Sequence, residues 1–458
     1  DPEIAGFLSD ADPSVVLEAA RAINDVPIEG ALASLADLAL GSRSSLPLAR
    51  RVLNANFRLG GSGHADKLAD IAAQADLPDG ARALAIEMLG EWAKPSGRDH
   101  VVGLWRPIAA RSAAPAADAV RTKISAILSA TAPKAIVSAA IAATAALEIK
   151  EAGKELKIVA ADPKRDDEIR AEALKSLDRL NDPGRIDAAQ QALLLPGTHS
   201  RTEALRVLAK VDPAAALVPV RERLARGSIA EQQGAIEVLT TLRSDAAGKE
   251  LAQWLDRLIA GKVPAELELD LLEAAGKRSE PEIRQKVDKY QASKPKGDAV
   301  AANRELLSGG DPLRGLSIFV SKAEVECLRC HRIRSQNGES MGGEVGPELS
   351  GVGAREKPNY LLESIMNPDK QIAQGFESVV VATSDGKVHT GVFRGENDAE
   401  VRLITALGKL ISVPKETIED RKRGPSAMPS DLAKKLSKKE LRDLVAFLAT
   451  LKTVPKSP

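Results

Sequence analysis

Cys327-Leu328-Arg329-Cys330-His331 is the stretch of this 458-residue chain whose residue types and spacing point most directly at chemistry, and it uses both of the chain's cysteines. Two thiols two residues apart suit the two vinyl groups of one porphyrin, and a histidine directly behind them can face the iron from the same turn. The spacing therefore reads as covalent attachment of one haem c. Two other chemistries use paired cysteines. A structural zinc needs four ligands, and the remaining histidines, His64, His100, His199 and His389, are scattered. A thioredoxin-like dithiol follows a strand in a βαβ unit, whereas an amphipathic helical stretch from Asp311-Pro312 through Gly315, Ile318 and Phe319 precedes this motif.

A haem iron held by one histidine leaves a sixth position, and four methionines compete for it. Met88 reads as helix core, Met366 as the apolar face of another helix, and Met341 stands very close to His331 in sequence. Met428 precedes Pro429 in a loop just before the last helix, where its sulfur can be held in a defined place. His389 is the rival, in what reads as a surface hairpin.

The elements that must position these groups fall into two parts. From the N-terminus to about Lys289 the pattern is helical, as in Ser14-Val15-Val16-Leu17-Glu18-Ala19-Ala20-Arg21-Ala22-Ile23, where apolar residues recur at three and four. Asp12-Pro13, Asp162-Pro163, Asp182-Pro183 and Asp212-Pro213 read as helix starts, with Asp as cap and Pro at the first helical position. Ala173-Leu174, Ala204-Leu205 and Ala235-Ile236 recur at intervals of 31 residues, and Ala20, Val52 and Ala85 hold similar places earlier. Such a period, with two short helices in each repeat, predicts a stacked α-solenoid over 1–290, similar to HEAT-type repeats. The register is least clear between Glu91 and Ala160.

Ser293-Lys294-Pro295-Lys296-Gly297-Asp298 breaks the apolar period and predicts a linker at 291–300, with a second domain over 301–458. Inside that domain Phe376 to Thr383 reads as a strand, Asp385-Gly386 as its hairpin turn, and Val401–Thr405 with Lys409–Val413 as a second hairpin. An antiparallel insertion of about 376–423 follows, small enough for a compact Sm- or SH3-like barrel. Lysine plus arginine balance aspartate plus glutamate at 64 each, which argues against a nucleic-acid-coating protein. With aromatics at 2%, the core must come from Ala, Leu, Val and Ile, which suits packed helices. No run has the roughly 18 apolar residues that a membrane span needs. Asp1-Pro2-Glu3 shows no charged-then-apolar leader, so an export signal is expected to be removed or upstream.

Beyond the motif, Gly346-Pro347-Glu348-Leu349, a helix from Tyr360 to Met366, Met428-Pro429 and a helix from Ser437 to Leu451 follow in order. This part resembles class I cytochromes c, and with its insertion it is similar to the haem-binding domain of planctomycete and verrucomicrobial proteins, where helical repeats often precede it. The resemblance implies a mainly α fold: an N-terminal HEAT-like α-solenoid, then an all-α cytochrome c domain with a small antiparallel β insertion. It implies His331 as proximal ligand, Met428 as distal ligand, and the Pro347 carbonyl as hydrogen-bond acceptor for the other imidazole nitrogen. It also implies a helix crossing through Gly315, Phe319, Leu444 and Phe447.

The expected function is that of an extracytoplasmic, periplasmic monohaem cytochrome that passes electrons to and from a redox protein partner, a dehydrogenase or another cytochrome. Arg421-Lys422-Arg423 and the lysines at 434, 435, 438 and 439 would steer an acidic partner, or simply form a solvated face. Two alternatives stand beside it. One is the electron-accepting fragment of a multidomain, propeller-type dehydrogenase. The other is a helical-repeat scaffold that docks protein on its solenoid and carries a structural or sensory haem. No Ser/His/Asp group, paired carboxylate site or nucleotide-binding glycine loop supports catalysis by the chain alone.

Overall fold

The computed structural model describes residues 2–129, 131–334 and 338–452. The chain divides into two compact units, Asp1–Leu242 and Arg243–Pro458. It is mainly helical, with helical repeats and a small antiparallel sheet. The division falls earlier than the expected linker at 291–300, which lies inside the second unit. Lys294 explains why that stretch is no free tether: it is buried, and its ammonium sits 2.8 and 2.9 Å from the two carboxylate oxygens of Glu305.

In the first unit, helices Pro13–Asp25, Leu46–Leu59, Asp79–Gly90, Lys134–Ala146, Asp167–Arg179, Thr198–Val211 and Ile229–Leu239 pack each on the next. Other helices alternate with them in a second row, with Ser62–Ala73 on Ala114–Ile127 and Gly153–Ala161 on Arg185–Leu194. Ala20, Val52, Ala85, Ala140, Ala173, Ala204 and Ala235 are all buried, one to each helix of the first row. Small side chains there let the helix backbones approach closely. The repeat is also written in polar contacts one period apart: Ser138 Oγ to Glu172 Oε2 at 2.7 Å, Lys210 Nζ to Asp178 Oδ2 at 2.7 Å, and Arg206 Nη2 to Glu237 Oε2 at 3.0 Å.

The unclear register after Glu91 has a physical cause. Residues 91–113 form no helix; Arg98 bridges Trp105, and Arg106 donates to the carbonyls of Asn24 and Asp25 at 2.9 and 2.6 Å. Two of the four Asp-Pro pairs start helices as expected, with Asp12 accepting from Ser14 N–H and Asp212 from Ala215 N–H. The other two make turns instead. Asp162 accepts from Lys164 N–H and Asp182 from Gly184 N–H, and the helices begin later, at Asp167 and Arg185.

The second unit opens with three helices, Asp245–Ile259, Glu268–Gly276 and Pro281–Ala292. Helix Pro312–Ser321 then crosses the last helix, Lys438–Thr450, at the expected residues. A Cβ on Gly315 would come within 2.1 Å of the Asp443 carbonyl oxygen, so only glycine permits this approach. Phe319 and Phe447 pack beside it with ring centroids 5.5 Å apart. Ser437 and Glu440 form a complete capping box at the start of the last helix.

Strand β1 (Arg332–Arg334) pairs with β2 (Ser340–Gly342) directly behind the cysteine motif. A second sheet holds β3 (Ser378–Thr383), β4 (Val388–Glu396), β5 (Glu400–Ile404), β6 (Leu410–Pro414) and β7 (Ile418–Arg423), in the order β6-β5-β4-β3-β7. The expected hairpins are β3–β4 and β5–β6. Strand β7 was not expected, and it sets Arg421 opposite Val381 in the ladder rather than in a loop. Among the described residues β6 and β7 are the two edges, so the ladder is open and not a closed barrel. One face of this sheet has its own core of Val381, Val401, Leu403 and Val413.

Candidate cofactor cleft

Cys327, Cys330, His331, Pro347 and Met428, all singled out from the sequence, line one cleft in the second unit. Its cavity volume is about 280 Å³, and it opens to solvent. Its walls are largely apolar, and Val345, Leu361, Ile365 and Leu448 are among them.

The two cysteines sit on a single helical turn, Cys327–Cys330, entered through Glu326 in the left-handed region at φ 42°. The backbone N–H of His331 closes that turn on the Cys327 carbonyl at 2.9 Å. His331 then leaves in extended conformation and carries the chain into β1. Its Nδ1 lies 2.9 Å from the Pro347 carbonyl oxygen. A carbonyl only accepts, so Nδ1 carries the proton and Nε2 keeps its lone pair. Burial lowers the histidine's affinity for a second proton and outweighs the Pro347 carbonyl, which acts the other way.

Glycines make room for this arrangement. A Cβ on Gly346 would lie 2.5 Å from His331 Cε1, so residues 346–347 clasp the imidazole by face and by hydrogen bond. Gly342, at φ +104°, passes so near the His331 carbonyl that a Cβ would sit 2.1 Å from it. Met428 comes from the opposite side of the sequence. Its N–H donates to Ser426 Oγ at 3.2 Å, and Ser426 N–H donates to Asp369 Oδ1 at 2.6 Å, which anchors the loop just beyond helix Pro358–Met366.

This donor set fits a covalently held haem. It offers two uncrosslinked thiols on one turn, a neutral imidazole oriented by a backbone acceptor, a thioether and an apolar enclosure. It does not fit an attacking dithiol. Burial pushes the Cys327 thiol up to about 11, so it stays protonated near neutral pH and is a poor nucleophile. His389 stands on β4 opposite Val381 and is not among the cleft-lining residues; Met341 is exposed on β2, and Met88 is buried in the first unit. Val345, Phe376 and Tyr360 line the cleft without having been marked in the sequence. Phe376 and Tyr360 had been read only as the starts of a strand and a helix, and Val345 flanks Gly346; only their apolar character hinted at a wall.

Three of the seven basic residues are held in ion pairs. Arg421 pairs with Glu396 at 2.7 Å, Lys435 with Asp431 at 3.5 Å and Lys438 with Glu305 at 2.9 Å. Among the described residues no helix is long and apolar enough to cross a membrane.

No family model and no curated protein matches the chain. Among solved structures, human deoxyhypusine hydroxylase in complex with glycerol is similar at 15% identity over 63% of this chain and 95% of its own, with a TM-score of 0.21. The complex of CpcE and CpcF of phycocyanin lyase from Nostoc sp. is similar at 18% identity over 54% of this chain and 91% of its own, with a TM-score of 0.26. The expected assignment as a monohaem electron-transport cytochrome is corrected. The finding against it is that the described residues hold no group of three or more His, Cys, Asp or Glu side chains placed to hold a metal ion.

Proposed function

We propose that the protein is a helical-repeat interaction scaffold whose C-terminal domain, class I-like in its haem-binding motifs, holds one covalent haem c as a structural or sensory group. One observation carries the haem part: Cys327, Cys330, His331 and Met428 converge on a single apolar cleft with Nδ1 of His331 already held by Pro347. Bound there, the group would supply apolar bulk and iron–ligand bonds that tie the two sides of the cleft together. Cys327 and Cys330 would hold it by thioether bonds, and His331 and Met428 would hold its iron. Covalent haem attachment favours an extracytoplasmic, periplasmic setting. The stacked helices of the first unit offer the extended surface on which such repeats dock protein.

The test is production of the chain in a compartment with haem c maturation machinery. Haem that stays on the polypeptide in a denaturing gel, and is lost in Cys327→Ser/Cys330→Ser, is the expected result. Absence of covalent haem from the intact chain overturns the reading. A structural role further predicts that losing haem speeds backbone hydrogen exchange in 301–452. Exchange in 13–239, and protein binding by that unit, should stay unchanged.

A further inference from the structure

The sheet inserted between helix Pro358–Met366 and Met428 has two apolar faces, and only one of them is occupied by the sheet's own core. On the other face, Val392 of β4 and Ile404 of β5 are ladder partners that pack with Val345. Val345 is buried and lies just ahead of Gly346 and Pro347, the pair that clasps His331. Cys330 and Ala427, neighbours of His331 and Met428, pack against the same small cluster.

A polar contact reinforces this joint. Arg394 lies two residues along β4 from Val392, where the pairing with β5 is bulged, and its contacts put it on the same side. Its guanidinium donates to the Glu344 carbonyl, donates to the Gly375 carbonyl at 3.1 Å and lies 4.6 Å from the Phe376 ring centroid. The sheet thus grips residues 344 and 345 immediately before the histidine clasp. It also grips the far side of the cleft. Strand β7 ends at Arg423, and Gly424 N–H donates to the Ser378 carbonyl at 2.8 Å, so the chain reaches Met428 directly from the sheet.

We propose that the inserted sheet is a bracket that sets the two arms of the cleft against each other, with Arg394 and Val392 as positioning residues for His331. Its functional meaning rests on the haem reading given above. The mechanical claim does not, because the His331–Pro347 hydrogen bond can be observed without haem. A group two shells away from an iron acts by fixing ligand orientation, and loss of such support costs about 10- to 100-fold in related metal sites.

The experiment uses the full chain with 15N-labelled histidine, haem-free through Cys327→Ser/Cys330→Ser, and compares Arg394→Ala, Arg394→Lys, Val392→Ala and Val381→Ala. In the parent, the imidazole nitrogen shifts of His331 should report a single tautomer protonated at Nδ1. Arg394→Ala and Val392→Ala should average that signature, and Arg394→Lys should restore part of it because a donor to Glu344 remains. Val381→Ala opens the sheet's other core and should leave His331 unchanged, which separates positioning from general weakening of the sheet. An unaltered His331 signature in Arg394→Ala and Val392→Ala overturns the bracket. Failure to load haem, with the His331 shifts responding as expected, refutes the haem reading and leaves the bracket standing.

Discussion

The two units solve the problem of holding a shape in opposite ways. In Asp1–Leu242 each helix of the first row touches the next, and the same kind of contact recurs about every 31 residues through small buried side chains such as Ala173, Ala204 and Ala235. Stability there is spread over many similar joints, as expected for quasi-one-dimensional repeats. In Arg243–Pro458 the decisive contacts occur once and join distant parts of the chain. Glu305 meets Lys438, Arg314 meets Asp443 at 2.9 Å, and Arg442 meets Asp270 at 2.6 Å. A repeat can lose one joint and keep its architecture, whereas a unit built on unique contacts has nothing to replace them. The cleft belongs to the second kind, which suits a site that needs fixed geometry.

The sharpest way to break this contrast is Glu305. It is fully buried and receives Lys294 and Lys438, so Glu305→Ala leaves the buried Lys294 ammonium without its carboxylate, while the half-exposed Lys438 can turn to water. Removing one partner of a buried ion pair costs about 3–5 kcal/mol. Hydrogen exchange should accelerate across 301–452 and stay unchanged in 13–239. The same residue predicts a pH dependence. Burial pushes the carboxyl up, but the Lys294 and Lys438 hydrogen bonds outweigh it and hold the group below its ordinary 4.5. A lowered carboxyl value means that stability is fully present above about 4.5 and is lost as the pH falls through the lower folded value. Acid unfolding of the second unit should therefore be blunted in Glu305→Gln, which has no such proton to take up. An equal acid sensitivity in the variant would assign the effect elsewhere.

Gly315→Ala comes next. Its methyl group would meet the Asp443 carbonyl oxygen and the Phe447 Cβ, at 2.1 and 2.6 Å, so the two helices must separate. Overpacking of this kind costs about 1–3 kcal/mol. Denaturation followed by the second unit's exchange should show it, and a cost near zero would mean that the crossing is loose.

How much of this was legible in the sequence follows from the reach of each signal. Cys327, Cys330 and His331 announce themselves because the motif reading rests on local spacing, whereas the crossing at Gly315 came only from what the resemblance to class I cytochromes c implied. The β3–β4 turn was legible because Asp385-Gly386 is a turn pair whatever surrounds it. Strand β7 was not: Ile418-Glu419-Asp420-Arg421-Lys422-Arg423 is an exposed, charged edge, and its strand state comes from pairing with β3. Charged edges of this type protect a sheet from joining another chain, and they carry no apolar alternation to read. Glu305 was equally silent, since nothing near it in sequence reveals that Lys438 will neutralise it. The boundary at Leu242 was hidden for a related reason. Helix Asp245–Ile259 has the same amphipathic pattern as the repeats before it, and only packing assigns it to the second unit.

The smallest effects test whether the repeats are held by their small residues or by their ion pairs. Ala204→Leu adds volume where Thr198–Val211 packs against its neighbours, and should cost about 1–3 kcal/mol, with faster exchange centred on the neighbouring helices. Lys210→Ala removes the 2.7 Å contact to Asp178, but the lysine side chain is 63% exposed and water already screens the pair. Its cost should stay within about 0.5 kcal/mol, and raising the salt concentration should erase it. The order of the two decides the matter. If Lys210→Ala weakens the first unit as much as Ala204→Leu does, the polar ladder rather than close helix approach carries the stack. The first unit would then depend on specific partners much as the second does, and distributed stability would no longer distinguish them.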